Sequence, residues 1–224
     1  MKTGFWTTLA CSLGYLLLAF ACLIRWSPAH PTSGLDYFSG GYLVLRLLGS
    51  LYSLSSSRTV FVSAPVKQQW WALDSDPAGP QWVMALMTLD LLVFLDYGHW
   101  RITPWLAQPA LQMVGLALYA GVSVWQIWTD AYLARYFSQE HPPQVPMNRG
   151  PYRYVRHPRY AAAIAGKIAM AITFASVLAW LLVIAWGLLL LNKIAVEEKH
   201  LRKLFGLSYD SYARATAKVI PGIY

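Results

Sequence analysis

Two short polar segments interrupt a chain that is otherwise strongly apolar. The first, residues 149–160, reads RGPYRYVRHPRY and concentrates guanidinium, phenol and imidazole groups. The second, residues 193–212, places two adjacent carboxylates, Glu197 and Glu198, among lysines and arginines. Guanidinium groups bind carboxylates, carboxylates accept hydrogen bonds from ammonium and hydroxyl groups, and imidazole exchanges a proton near neutral pH. If the two segments meet, they could bind an amphiphilic cofactor between them.

Each segment also has a purely structural interpretation. Arginines and tyrosines beside a membrane helix are ordinary interfacial anchors, and Pro158 suits the first position of a helix. Glu198 could pair with Arg202 one turn later, and Glu197 with Lys193 one turn earlier. Taken singly, these features are more often structural than catalytic, so the interpretation depends on whether the fold brings the segments together.

The composition is typical of a membrane protein. Of the 224 residues, 57% are hydrophobic and only 12% are charged, whereas soluble domains carry about 25% charged residues. The formal net charge is +8, and twelve of the eighteen lysines and arginines lie from Arg135 onward, beside apolar segments. Such placement sets membrane topology, so a nucleic-acid partner is not expected. Cys11 and Cys22 have neither the spacing nor the context of a disulfide or a metal site, and no metal is expected.

Apolar runs predict an all-α fold, a polytopic transmembrane bundle of five or six spans. The first run contains 20 residues without a charge and predicts a membrane helix rather than a cleaved signal peptide. The bundle is expected to end in a helical hairpin followed by cytosolic amphipathic helices. The runs are Phe5–Ile24, Tyr37–Leu54, Gln81–Tyr97, Ala107–Leu133 and Ala161–Val196.

The last run decides where the two polar segments lie. Its 36 residues would form a straight helix of about 54 Å, whereas the hydrocarbon core is about 30 Å thick. The chain must therefore turn back, and we expect the reversal near Thr173–Trp180. A hairpin returns the chain to the surface it left, which places residues 149–160 beside Glu197 and Glu198. The basic residues flanking the hairpin indicate that this surface faces the cytosol.

The paired motifs GPYRYVRHPRY and EExxLxxxFGxxYxxY, separated by the apolar run, make the sequence recognisable. Over about residues 144–224 the chain resembles the superfamily of isoprenylcysteine carboxyl methyltransferases and phospholipid N-methyltransferases. The resemblance implies a membrane-embedded, non-Rossmann fold that binds S-adenosylmethionine at its cytosolic side. It implies catalytic roles for Arg156, His157 and Glu197. It implies a cofactor site formed by Tyr152, Tyr154, Arg156, His157, Tyr160, Glu197 and Glu198.

The resemblance leaves the methyl acceptor open among an isoprenylcysteine carboxylate, a phospholipid amine and a thiol. We expect residues 1–135 to form transmembrane helices that shape the acceptor pocket, and residues 136–224 to form the methyltransferase core. His157 could act as a base or only as a hydrogen-bonding ligand, and the second role is favoured. Two other functions stay open: an enzyme similar to NADPH-dependent sterol reductases, whose C-terminal end is distantly similar, and a non-catalytic lipid-binding membrane protein.

Lys167 lies two turns inside the hairpin, where a lone ammonium group is costly. We expect its long side chain to reach back to the cytosolic surface. The alternatives are an acidic lipid headgroup or substrate carboxylate, with Asp90, Asp96 and Asp130 as possible partners within the chain.

Overall fold

The computed structural model describes residues 2–24, 36–60, 88–137 and 145–222. Within these ranges the fold is all-α, as predicted, and extended pairing is confined to an isolated parallel bridge between Val155 and Ala217. Single turns of 3-10 helix cover Pro104–Leu106 and Gly150–Arg153. The helices are α1 (Lys2–Leu23), α2 (Tyr37–Val60), α3 (residues 88–100), α4 (Pro109–Phe137), α5 (Pro158–Phe174), α6 (Val177–Phe205) and α7 (Leu207–Ala215).

The apolar runs of the sequence correspond to these helices. Helices α1, α2 and α4 follow the first, second and fourth runs. Of the third run, residues 88–97 are helical, and residues 81–87 lie outside the described part. The predicted division of the chain at residue 135 falls near the end of α4.

Two of the described helices are long and apolar enough to cross a membrane, over Pro109–Leu133 and Val177–Phe205. On α6 the side chains of Leu181, Ile184 and Leu188 are each more than half exposed on the surface of the protein. An apolar stripe of this kind is unfavourable in water and is solvated by lipid tails. The helices therefore indicate a membrane protein.

The hairpin predicted from length is confirmed. Helix α5 ends at Phe174, α6 begins at Val177, and the reversal occupies Ala175 and Ser176. Ala175 adopts a left-handed conformation with φ 49 and donates its N–H to the carbonyl of Ile172 at 3.3 Å. The 17 residues of α5 span about 25 Å, close to the thickness of the hydrocarbon core.

Close packing of α4 against α5 holds the hairpin in the bundle. At Gly115 of α4, a Cβ atom would lie only 2.5 Å from the backbone nitrogen of Thr173. The absence of a side chain there lets the two backbones approach, as small residues do between membrane helices. An aromatic core of Tyr42, Phe94 and Phe174 lies beside this contact, with ring centroids 5.0 to 5.8 Å apart.

The expectation that Lys167 reaches the surface is wrong. Its ammonium group forms an ion pair with the buried carboxylate of Asp90 on α3. The same ammonium lies 5.1 Å from the centre of the Trp186 ring on α6. A nearby carboxylate and an aromatic face replace the water that the charge loses on burial, so the side chain need not extend to the interface.

Candidate functional site

The hairpin brings the two polar segments into contact. Arg156 and His157 directly precede α5, and Glu197 and Glu198 lie on the last third of α6. The Arg156 Nε donates to Glu198 Oε1 at 2.9 Å. The His157 ring lies between the two carboxylates, with Nε2 3.4 Å from Glu198 Oε1 and Nδ1 3.6 Å from Glu197 Oε2. Residues about 40 positions apart in sequence thus form one cluster.

Local backbone preferences set the position of the first segment. Gly150 has φ +59, and a Cβ atom there would lie 2.6 Å from the ring of Tyr132 on α4, so both conformation and space require glycine. Pro158 occupies the first turn of α5, as expected for a residue without an N–H. His157 is the N-cap residue, but its side chain makes no capping hydrogen bond. The imidazole is therefore available for the carboxylates of α6.

The chain after α7 forms the other side of the cluster. The backbone N–H groups of Arg156 and His157 donate to the carbonyls of Ala217 and Lys218 at 2.8 and 3.0 Å. The Arg156 Nη1 donates to the carbonyls of Ala213 and Thr216. Sequence reasoning missed this contact, because it forms through backbone groups that carry no residue-type signal.

Glu198 and Arg156 form the buried part of the cluster. Their side chains are 4% and 8% exposed. Glu198 Oε1 accepts from Arg156, and Oε2 lies 3.6 Å from Arg202 Nη2, the i,i+4 partner expected from the sequence. Arg202 also reaches Asp210 on α7 at 3.3 Å. Because the Nε and Nη1 atoms of Arg156 already have internal acceptors, this arginine holds α6, α7 and the C-terminal segment together.

Glu197 has different surroundings from its neighbour. Its side chain is 43% exposed, but its Oε2 atom is buried, and the contact of this atom with His157 Nδ1 is long, at 3.6 Å. Successive residues on a helix differ by about 100° in direction, which explains why one carboxylate faces inward and the other faces the edge of the cluster. This oxygen can accept a further hydrogen bond from an ammonium or hydroxyl group of a ligand.

The charge of the two carboxylates determines the protonation of His157. Burial opposes protonation of this imidazole, but hydrogen bonds to Glu197 and Glu198 and the negative charges of both carboxylates outweigh burial and raise its pKa above the ordinary value. Both ring nitrogens face carboxylates, and the side chain is only 3% exposed. This geometry suits a cation that bridges two carboxylates better than a base that must reach a substrate.

The three tyrosines predicted for the site take different positions. The Tyr160 ring stacks on His157, with centroids 5.7 Å apart and an interplanar angle of 25°. The carbonyl of Tyr152 accepts from the Tyr212 hydroxyl at 2.6 Å, which links the first segment to α7. Tyr154 is 54% exposed, and its ring lies 6.3 Å from that of Trp125 on α4. Tyr160 therefore joins the Glu–His cluster, whereas Tyr154 lies against α4.

Helix α4 contributes contacts that sequence reasoning missed. The Trp125 Nε1 donates to the carbonyl of Pro158 at 3.2 Å, and Arg159 pairs with Asp130 at 3.2 Å. These bonds attach the start of α5 to α4. Trp125 and Asp130 are five positions apart, a spacing that gives no signal of a shared contact in the sequence.

Comparison with known proteins adds independent information on this region. Residues 109–208 match the family model described as phospholipid methyltransferase. The match confirms the resemblance to membrane methyltransferases drawn from the paired motifs. A comparison with curated proteins found no match.

The phospholipid methyltransferase region contains α4, both arms of the hairpin and the whole Arg–His–Glu cluster. It begins at residue 109 and so includes the helix that holds Trp125 and Asp130. The family match therefore points to a membrane methyltransferase. The C-terminal segment that bonds to Arg156 and His157 lies beyond the matched residues.

Proposed function

We propose that the protein is an integral, multi-pass membrane methyltransferase that uses S-adenosylmethionine and acts on a lipid-borne acceptor. The observation that carries the proposal is the buried Oε2 of Glu197, whose contact with His157 is long, at 3.6 Å, inside the region that matches phospholipid methyltransferases. S-adenosylmethionine carries an ammonium group and ribose hydroxyls, which are donors that this oxygen can accept from.

The residues of the cluster then divide into two roles. Glu197, with Tyr160 beside it on the edge of the cluster, would hold the cofactor. Arg156, Glu198 and the C-terminal segment would position Glu197 and His157, because their polar atoms are already engaged with one another. His157 would fix the orientation of the Glu197 carboxylate through its charge rather than accept a proton from the acceptor.

S-adenosylmethionine supplies a methyl group that is already activated, so the protein has to align an acceptor behind it and exclude water. This requirement explains why a buried ion cluster at the membrane surface is sufficient and no nucleophilic triad is needed. An acceptor lipid can approach from the bilayer, since the apolar faces of α4 and α6 are exposed to it. The family match favours a phospholipid amine over a prenylcysteine carboxylate or a thiol.

We also infer that the cluster faces the cytosol. Arg149, Arg153, Lys199, Lys203 and Arg214 are exposed on the side of the hairpin where the cluster lies. Basic residues close to membrane helices are retained on the cytosolic side.

Titration of the purified protein with S-adenosylmethionine, S-adenosylhomocysteine and NADPH tests the proposal by calorimetry and thermal stability. We expect both adenosyl compounds to bind and stabilise the protein and NADPH to have no effect. Stabilisation by NADPH alone would support the reductase alternative, and no response to any of the three would support a non-catalytic lipid-binding protein. Transfer of a labelled methyl group to lipid extracts then identifies the acceptor.

A further inference from the structure

Three polar side chains lie together in the apolar interior of the bundle, away from the Arg–His–Glu cluster. This central polar group consists of Asp90 on α3, Lys167 on α5 and Trp186 on α6. Lys167 follows His157 by ten residues, a rise of about 15 Å along α5. Because the hydrocarbon core is about 30 Å thick, the group lies near the middle of the membrane. It is therefore separate from the site proposed for the cofactor.

The protein encloses the central polar group almost completely. Asp90 is 1% exposed and Trp186 is 7% exposed, and the side chain of Lys167 is 15% exposed. Ile164 and Leu190 are among the apolar side chains that pack around Trp186. In such surroundings a polar atom is unfavourable unless a hydrogen bond replaces the hydration that it has lost.

The carboxylate of Asp90 is bonded through only one of its oxygens. The Lys167 ammonium donates to Asp90 Oδ2, and the Tyr15 hydroxyl on α1 donates to the same oxygen at 3.4 Å. The other oxygen, Oδ1, is buried and accepts no hydrogen bond from any residue that the structure describes. A carboxylate oxygen is a strong acceptor, so Oδ1 requires a donor.

Trp186 has the opposite requirement. Its Nε1–H group is a buried donor that has no acceptor in the described part of the chain. The face of its ring lies against Lys167, with the ammonium nitrogen 5.1 Å from the ring centre. An ammonium group carries several N–H donors, and the bond to Asp90 uses one of them. An unused donor of Trp186 and an unused acceptor of Asp90 therefore lie beside the same ammonium group.

The ligand that suits these atoms must both accept and donate hydrogen bonds. A halide ion or a carbonyl group could accept from Trp186 and Lys167, but it would leave the Asp90 oxygen without a donor. A metal cation could bind Asp90, but Lys167 would repel it and the Trp186 donor would stay unpaired. Water does both, and a buried water makes about three hydrogen bonds to polar groups that otherwise lack partners.

We propose that the central polar group binds a water molecule in the interior of the bundle. The water accepts hydrogen bonds from Trp186 Nε1 and the Lys167 ammonium and donates one to Asp90 Oδ1. It thereby links α3, α5 and α6 and supplies the hydration that an ion pair in the middle of a membrane otherwise loses. This inference does not rest on the proposed function, because it involves neither the methyl donor nor the acceptor.

X-ray radiolytic footprinting of the full chain in detergent tests the proposal. Hydroxyl radicals formed from a bound water oxidise the side chains next to it, so an enclosed ring is modified where water is bound. After correction for intrinsic reactivity, we expect Trp186 to be oxidised several-fold faster than Phe94 and Phe174, which are 0% and 2% exposed. Oxidation of Trp186 no faster than that of these rings would overturn the proposal, whether its N–H is unpaired or bonded to a lipid hydroxyl.

A double variant separates a bound water from bulk water that reaches the ring. Asp90→Leu with Lys167→Met removes two of the groups that hold the water and leaves no unpaired charge. Oxidation of Trp186 should then fall to the level of the buried phenylalanines, and undiminished oxidation would overturn the proposal. The matched control, Asp130→Leu with Arg159→Met, removes a more exposed ion pair and should leave oxidation of Trp186 unchanged. If the first variant does not fold, the comparison of rings within the parent protein still decides the question.

Discussion

Glu197 and Glu198 are adjacent on α6 and both contact the His157 ring, but the Arg156 guanidinium bonds to Glu198. Glu198 is buried and accepts a hydrogen bond from the Arg156 Nε at 2.9 Å, whereas the Glu197 side chain is 43% exposed and its Oε2 lies 3.6 Å from His157 Nδ1. One carboxylate therefore stabilises the fold of the site, and its neighbour is available to a ligand. The paired glutamates of the sequence motif are not equivalent.

Substitutions of the two glutamates should separate binding from stability. Glu197→Gln should weaken S-adenosylmethionine binding at least about tenfold with little change in thermal stability, because a neutral amide cannot hold an ammonium group as well. Glu198→Ala should lower the free energy of unfolding by about 3–5 kcal/mol, because it leaves Arg156 buried without its carboxylate. Calorimetry and thermal unfolding measure the two effects, with exposed Lys199→Gln as the control. Equal losses of stability in the two variants would contradict the assignment.

Some of this architecture could be predicted from the sequence. The length of the last apolar run required a reversal, and Pro158 marked the start of α5. The reversal itself had no signal, since Ala175 takes the left-handed conformation without a glycine. The unequal exposure of the two glutamates depends on which face of α6 packs against the segment before α5, and a sequence pattern alone does not specify that contact.

The partners of isolated charges were the least predictable feature. Lys167 and Asp90 are 77 residues apart, and the sequence offered three aspartates without a means of choosing among them. The bonds from Arg156 and His157 to the C-terminal segment use backbone carbonyls, which every residue carries. Such contacts require the relative positions of helices that are distant in sequence.

The Lys167–Asp90 pair should be strongly coupled. Lys167→Met or Asp90→Leu alone should destabilise the protein by about 3–5 kcal/mol, because each leaves an unpaired charge in a buried position. The double variant should lose less than the sum of the two, as measured by a double-mutant cycle of unfolding in detergent. Arg159 and Asp130 form a matched but more exposed pair, at 46% and 26% exposure. Breaking this pair should lower the free energy of unfolding by less than about 1 kcal/mol. A similar loss of stability for both pairs would contradict the conclusion that burial makes the Lys167–Asp90 pair more important.

His157 should make stability depend on pH. Because its pKa is raised in the folded state, the folded protein holds this proton at pH values where the unfolded chain has released it. The resulting stabilisation is complete below the ordinary pKa of histidine and is lost as the pH rises through the raised value. The stability difference between the parent and His157→Gln should therefore shrink as the pH rises above the ordinary histidine pKa of 6.5 and through the raised pKa. Thermal unfolding across this interval measures it, with the exposed histidine in His99→Gln as the control. A difference that stays constant with pH would show that the imidazole does not carry the expected charge.

The C-terminal segment should be required for cofactor binding. Deletion of residues 216–224 removes the carbonyls that accept from the backbone of Arg156 and His157 and from the Arg156 guanidinium. We expect S-adenosylmethionine affinity to fall at least about tenfold, since several hydrogen bonds that orient the cluster are lost together, while helix content by circular dichroism is retained. Deletion of residues 221–224 alone preserves those carbonyls and should bind normally. Equal affinity in both truncations would mean that the segment does not position the site.

The two ends of the hairpin should lie on opposite sides of the membrane, with the Arg–His–Glu cluster on the cytosolic side. The α6 residue Lys203 is exposed near the cluster, and Trp105 is exposed near the turn, where Thr103 bonds to the carbonyl of Ala175 at 3.0 Å. In a background that carries Cys11→Ser and Cys22→Ser, Trp105→Cys should react with an impermeant maleimide on intact cells. Lys203→Cys should react only after permeabilisation, because basic residues beside membrane helices stay in the cytosol. The opposite labelling pattern would show that the cluster faces the outside of the cell. Labelling of both cysteines on intact cells would show that the hairpin does not cross the bilayer.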